Sequence, residues 1–207
     1  MINLTVIKTI IFDLGQVIID LDPDAVISRL KGYSDKQADE IVRLITESQV
    51  LIEYEVGNMT DDYFCDEVNK LLGTNIPLVI FEQIWNSFLG VIKPEKLQLM
   101  EDLKNQFEVL ILSNTNAIHQ REFDLRVSSI RPGNIMSDMV HTAHYSHCMG
   151  FRKPDLRIYE RVLDLHRLNP AEVLFFDDRI ENIVAAQILG IKGIQVTYSD
   201  QILDQLR

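Results

Sequence analysis

The sequence predicts an α/β fold: a parallel sheet with helices on its faces and one separate helical insertion. Three observations carry this. Short apolar, β-branched runs alternate with longer segments of helical spacing, the pattern of chains that lay helices over a parallel sheet. The runs are apolar on both faces, as strands buried from both sides must be. The stretch between the first two such runs is several helices long, whereas a crossover between neighbouring parallel strands needs only about a dozen residues.

The elements follow in order. Residues 6–14 read as the first buried strand. Residues 24–30, 35–47, 60–72 and 78–88 each carry apolar residues at helical spacing, interrupted at Gly57-Asn58, Gly73-Thr74 and Pro77. Residues 22–90 are therefore expected to form a helical cap, and residues 1–21 with 91–207 the α/β core. Residues 94–107 read as a helix with Pro94 in its first turn, followed by a strand over 108–113 and another over 135–145. A helix over 154–168 places Ile158, Val162 and Leu165 on one face. Residues 173–178 form a strand, 180–189 a helix closed by Gly190, and 193–197 a last strand.

Composition narrows the function. The 207 residues are 46% hydrophobic and 25% charged, with 31 acidic against 20 basic side chains and a net charge of −11. That excludes collagen-like, disordered and disulfide-framework classes. The acidic balance argues against nucleic acid, which requires a basic face. Cys65 and Cys148 stand far apart without zinc spacing and read as reduced structural thiols. No apolar run reaches membrane length and residues 1–14 lack a basic n-region, so no membrane contact and a cytoplasmic location are expected. Nothing requires more than a monomer or a weak homodimer.

The chemistry sits where strands end. Asp13 closes the first, Ser113-Asn114 the second, and Asp177-Asp178 a later one; ligands of open α/β sheets bind at these carboxyl ends. Adjacent carboxylates at a core edge repel unless a cation or proton lies between them, and three crowded carboxylates suit Mg²⁺. Asp178 alone could instead cap the helix near Ile180. Ser113-Asn114-Thr115-Asn116 leads from a strand into a helix, where an anion is favoured, although these residues are also common caps. Lys153, in Gly150-Phe151-Arg152-Lys153-Pro154-Asp155, is either solvated surface or a cation aimed into the crevice, with Arg152 beside it.

The order of these pieces resembles the haloacid dehalogenase-like hydrolase superfamily. The matching strings are Ile11-Phe12-Asp13-Leu14-Gly15-Gln16-Val17, Leu112-Ser113-Asn114-Thr115-Asn116, the Gly150 to Asp155 loop, and Phe175-Phe176-Asp177-Asp178-Arg179-Ile180-Glu181-Asn182-Ile183. Within it the chain is most similar to the α-D-glucose 1-phosphate phosphatase branch. The resemblance implies a Rossmann-like sheet, with residues 22–90 as the family's cap. It implies Asp13 as nucleophile; Asp13, the Gly15 carbonyl, Asp178 and Asp177 as the Mg²⁺ site; Ser113 and Asn114 on the phosphate; and Lys153 as the catalytic and phosphate-binding cation.

One departure matters. Most phosphatases of that superfamily carry a second aspartate two residues after the nucleophile, where this chain has Gly15. General acid–base help is worth about 10²- to 10⁴-fold, so leaving groups that need little protonation are favoured, such as the anomeric oxygen of a sugar 1-phosphate. Asp20 and Asp22 are nearby substitutes, unless Asp22 only caps the first cap helix. His141, His144, His147 and Cys148 are not at converging positions on a strand, and the acidic cap residues Glu53, Glu55, Asp61 and Asp62 read as solvated faces. The expected activity is Mg²⁺-dependent hydrolysis of a small phosphorylated metabolite, a sugar phosphate, through an aspartyl-phosphate on Asp13. The alternatives are a 2-haloacid dehalogenase, or a regulatory protein that binds a phosphorylated ligand without turnover.

Overall fold

The computed structural model describes residues 4–206; residues 1–3 and 207 of the expected core lie outside the described residues. In chain order the elements are β1 (Thr9–Phe12), β2 (Ile19–Leu21), α1 (Pro23–Lys31), α2 (Ala38–Thr46), α3 (Gln49–Glu55), α4 (Asp61–Leu72) and α5 (Leu78–Trp85). Then come β3 (Leu89–Ile92), α6 (Pro94–Leu103), β4 (Glu108–Ser113), α7 (Ala117–Ile130), β5 (Thr142–Tyr145) and α8 (Ser146–Met149). The chain closes with α9 (Leu156–His166), β6 (Val173–Asp177), α10 (Ile180–Ile188), β7 (Lys192–Gln195) and α11 (Gln201–Leu206).

Five strands form one parallel sheet in the order β5-β4-β1-β6-β7. β1 lies between β4 and β6, with Phe12 opposite both Ile111 and Phe176. The three strand ends that carry polar residues are therefore neighbours. The central strands are apolar and buried on both faces, with separate clusters on each side: Ile10, Phe12, Val109 and Phe176 in one, Ile11, Leu110, Leu112 and Phe175 in the other.

The insertion has its own core. Tyr54 stacks on Phe64 with ring centroids 3.9 Å apart, and Phe64 meets Phe81 and Trp85 edge-on; Leu30 and Ile41 complete the cluster. At its base β2 and β3 pair antiparallel, Ile19 opposite Ile92 and Leu21 opposite Leu89. Arg126 on α7 fastens this base by donating to the carbonyls of Asn86, Leu89 and Gly90. Asp22 caps α1 by accepting from the Ala25 N–H at 2.9 Å, and Gly73 ends α4 in a left-handed conformation at φ 70°.

Several expectations need correction. The strand expected over 135–145 is only β5, because Met136–Met139 forms a 3₁₀ turn in which the Asp138 carboxylate accepts the Ile135 N–H at 2.8 Å. β1 is shorter than 6–14, with Val6 on the surface. The helix expected from Pro154 starts at Leu156, since Asp155 is its N-cap and accepts from the Arg157 N–H. β7 begins one residue earlier than expected. The β2–β3 pair, α3, α8 and α11 were not anticipated. Among the described residues no helix is long and apolar enough to cross a membrane.

Candidate active site

Asp13 leaves β1 where the chain turns sharply. Gln16 adopts a left-handed φ of 56°, and the Leu14 carbonyl then accepts from the N–H groups of Val17, Ile18 and Ile19. This leaves Asp13 7% exposed, its Oδ1 accepting the Leu14 N–H at 2.7 Å. Lys153 Nζ lies 2.9 Å from that oxygen and 2.6 Å from Asp177 Oδ2, and also donates to the Leu112 carbonyl at 2.8 Å. Lys153 is 1% exposed, so it is the aimed cation and not the solvated one. Burial alone would lower its pKa, but Asp13 and Asp177 outweigh burial and raise it.

The aspartate pair divides its work. Asp177 is fully buried. Its oxygens take Lys153, both Asn182 Nδ2 contacts (2.9 and 3.1 Å) and the Arg179 N–H. A carboxylate so saturated holds Lys153 in place. Asp178 is half-buried, and no other described side chain donates to its carboxylate. The α10 cap position is Arg179, so Asp178 does not cap that helix.

The Ser113-Asn114-Thr115-Asn116 segment is also divided. The Asn114 side chain clamps the Lys153 backbone, with Nδ2 donating to the carbonyl and Oδ1 accepting the N–H, both at 2.8 Å. Its backbone N–H takes no described partner and is open to an anion. Ser113 is buried, and its hydroxyl has no described protein partner. Asn116 is a cap, accepting from the His119 N–H at 3.0 Å, and Thr115 exchanges backbone bonds with the Ser146 hydroxyl.

Asp13, Asp177 and Asp178 each offer an oxygen within 4.8 Å of the other two. Burial, opposed by Lys153 but reinforced by Asp177 and Asp178, pushes the Asp13 carboxyl up to about 7. Burial and Asp177 likewise raise Asp178. Hard oxygen donors that cannot all ionise unaided fit Mg²⁺, and the Gly15 carbonyl, which takes no described backbone N–H, faces the same turn.

The folded pKa of Asp13 lies above its ordinary value of 3.8, so its contribution to stability is present at acid pH and is lost as pH rises through about 7. A bound cation removes that loss. Thermal melting with Mg²⁺ and with EDTA should therefore show a gap that widens from about pH 5 to about pH 8. An equal gap at both pH values contradicts this assignment.

The family model for haloacid dehalogenase-like hydrolase matches residues 7–190. The chain belongs to that family. It is similar to a D-ribitol-5-phosphate phosphatase of Bacteroides thetaiotaomicron, 26% identical over 91% of each chain. It is 27% identical to a sesquiterpene phosphatase of Aspergillus oryzae, over 98% of this chain and 96% of that one. A solved structure of a B. thetaiotaomicron enzyme of the family, in complex with magnesium and inorganic phosphate, superposes with a TM-score of 0.85. It is 27% identical and covers 97% of this chain and 100% of that one.

In this haloacid dehalogenase-like hydrolase a cavity of about 480 Å³ lies between the insertion and the strand ends. Its apolar wall includes Val26, Ile27, Ile45, Leu51, Trp85 and Phe88, and Asn114, Arg152 and Arg179 border the strand-end side. A more open groove of about 500 Å³ between α1, α5 and α7 carries none of the four motifs.

Two sequence readings change here. Asp20 faces Lys96 (3.7 Å) and accepts from the Ser199 hydroxyl (2.7 Å), so neither it nor the helix-capping Asp22 is free to serve the site. Glu55 is not a solvated face: its side chain is 15% exposed, it lines the cavity, and it pairs with Arg152 at 3.0 Å. The histidines do not converge. His144 pairs with His166, His147 with Gln120, and His141 accepts the Val109 N–H. Cys65 and Cys148 are free thiols.

Proposed function

We propose that the chain is a Mg²⁺-dependent phosphatase that hydrolyses a small phosphorylated metabolite, a sugar phosphate, through an aspartyl-phosphate on Asp13. The observation that carries this reading is the Lys153 ammonium held between Asp13 and Asp177, beside an Asp178 carboxylate to which no other described side chain donates. Phosphoryl transfer is mainly positioning and charge stabilisation, and this arrangement supplies both.

Asp13 attacks phosphorus, and the aspartyl-phosphate is then hydrolysed by water. Lys153 meets the charge gathering on the phosphoryl oxygens, while Asp177 and Asn182 keep its ammonium from turning away. The Ser113 hydroxyl and the Asn114 backbone N–H hold phosphate oxygens. Asp13, the Gly15 carbonyl and Asp178 would hold Mg²⁺, which supplies positive charge to the transferred group. Residues 22–90 act as the cap over the leaving alcohol.

The named relatives, a polyol-phosphate phosphatase among them, support a phosphorylated metabolite as substrate, and a cavity of about 480 Å³ suits a sugar-sized alcohol. A second reading, an apolar alcohol, is favoured by the aliphatic and aromatic wall of that cavity. A dehalogenase would share Asp13 but gives no task to Asp178.

The test is phosphate release from glucose 1-phosphate, glucose 6-phosphate, ribitol 5-phosphate, a terpenyl phosphate and p-nitrophenyl phosphate, with Mg²⁺ and with EDTA. Release that requires Mg²⁺ is the expected result, and the most rapidly hydrolysed alcohol decides between the two substrate classes. Binding of phosphate without release from any ester would leave the regulatory alternative instead.

A further inference from the structure

We propose that Glu55, on the insertion, is the general acid and base of this hydrolase, taking the part for which Gly15 offers no side chain. This rests on the phosphatase reading with Asp13 as nucleophile.

An alcohol leaving phosphorus requires a proton, and the water that follows must lose one. The groups near the strand ends are otherwise engaged. Asp13 and Asp178 face the cation site, and Asp177 is saturated by Lys153, Asn182 and the Arg179 N–H. Asp20 and Asp22 are committed to Ser199 and to the α1 cap. His119 lines the cavity, but its Nε2 donates to the Trp85 carbonyl and its Nδ1 accepts from Asn116. Burial holds its pKa down at about 4, so near neutrality the ring is neutral, with no imidazolium proton to give and both nitrogens already engaged.

Glu55 is the one carboxyl on the cavity wall among the described residues. It is the last residue of α3, whose end lies over the strand-end loops. Its Oε2 meets Arg152 Nε, and no described protein group donates to Oε1. The same wall includes Asn114, from the phosphate loop, and Arg179, the residue after Asp178. The charged groups that face Glu55 are Arg152, Arg179 and Lys153; each favours the carboxylate, but burial outweighs them and raises its pKa. A carboxyl whose Oε2 has only an ion-pair contact with Arg152 and no hydrogen-bond donor, and whose Oε1 takes no described protein donor, is reluctant to ionise and can carry a proton in both directions.

The steps balance. As the Asp13 oxygen bonds to phosphorus and the ester bond breaks, the Glu55 carboxylic acid gives its proton to the departing alcohol oxygen. Water then bonds to phosphorus as the Asp13–phosphorus bond breaks, and the Glu55 carboxylate takes the proton from that water. Ester and water become alcohol and phosphate, and both carboxyl groups return to their starting forms.

The experiment uses Glu55→Gln and Glu55→Asp in the full chain with Mg²⁺. Substrates are ring-substituted phenyl phosphates of one shape and graded leaving-group acidity, from p-nitrophenyl to phenyl. The readout is kcat/KM, which reports the step that breaks the ester. General-acid loss raises the ratio of p-nitrophenyl to phenyl phosphate by about 10²-fold in Glu55→Gln and abolishes the alkaline limb of the phenyl phosphate pH profile. Glu55→Asp restores part of both. A loss of the same factor on every substrate would mean that the Glu55–Arg152 pair only holds the cap in place, and would overturn the proposal, as would no loss on any. Wild-type protein that cleaves none of these esters would overturn the phosphatase reading itself; wild-type activity with a parallel Glu55→Gln series overturns only this inference.

Discussion

Asp13→Asn abolishes phosphate release, by at least about 10⁴-fold, without unfolding the protein. The size follows from the loss of a nucleophile that no neighbouring group can replace. Asp177 is occupied on both oxygens, and the Asp178 carboxylate follows β6, not the central strand. Asparagine has nearly the shape of aspartate, and its side-chain oxygen can still accept the Leu14 N–H that Asp13 accepts now. It also removes one of three mutually repelling carboxylates, so melting temperature should hold or rise in the absence of metal. Activity of the variant above about a thousandth of wild type would contradict Asp13 as nucleophile.

Lys153→Met costs both activity and stability. Lys153 touches Asp13, Asp177 and the Leu112 carbonyl at 2.6–2.9 Å from a site that is 1% exposed. Removing one partner of a buried ion pair leaves uncompensated charge and typically costs about 3–5 kcal/mol. Methionine keeps most of the volume, so lost packing is a minor part. The pH dependence separates charge from packing. Lys153 opposes the burial that raises the Asp13 carboxyl. Without the ammonium Asp13 titrates still further above its unfolded value, so the missing stability is recovered at acid pH and lost as pH rises through that raised folded value. Denaturant unfolding at about pH 5 and about pH 8 should thus show a larger deficit at the higher pH. A deficit equal at both would assign the loss to packing.

How far these residues could be read from sequence depends on the physical range of each signal. Asp13, Ser113 and Asp177 were legible because a buried parallel strand is apolar throughout, and a polar residue at its end stands out. Lys153 was legible as one of two readings, and its burial among carboxylates 24 residues away or more in the chain settled which. The partners behind these residues were not legible. That Asn114 grips the Lys153 backbone, and that Asn182 saturates Asp177, are long-range bonds made by residue types that also serve as caps and turns. The β2–β3 pair escaped because strands of three and four residues are too short to show alternation. Glu55 was misread for a plainer reason. A glutamate on a short helix is usually solvated, and only the fold shows that this one lies against Arg152 under the cap.

The central claim is a covalent phosphoryl group on Asp13, and it can be observed directly. Protein mixed with p-nitrophenyl phosphate and Mg²⁺, quenched in acid within one turnover and treated with borohydride, should carry homoserine at position 13 on peptide mass spectrometry, with none in protein treated without substrate. Phosphate released at full rate with Asp13 unmodified, or with the label on another residue, would contradict the account.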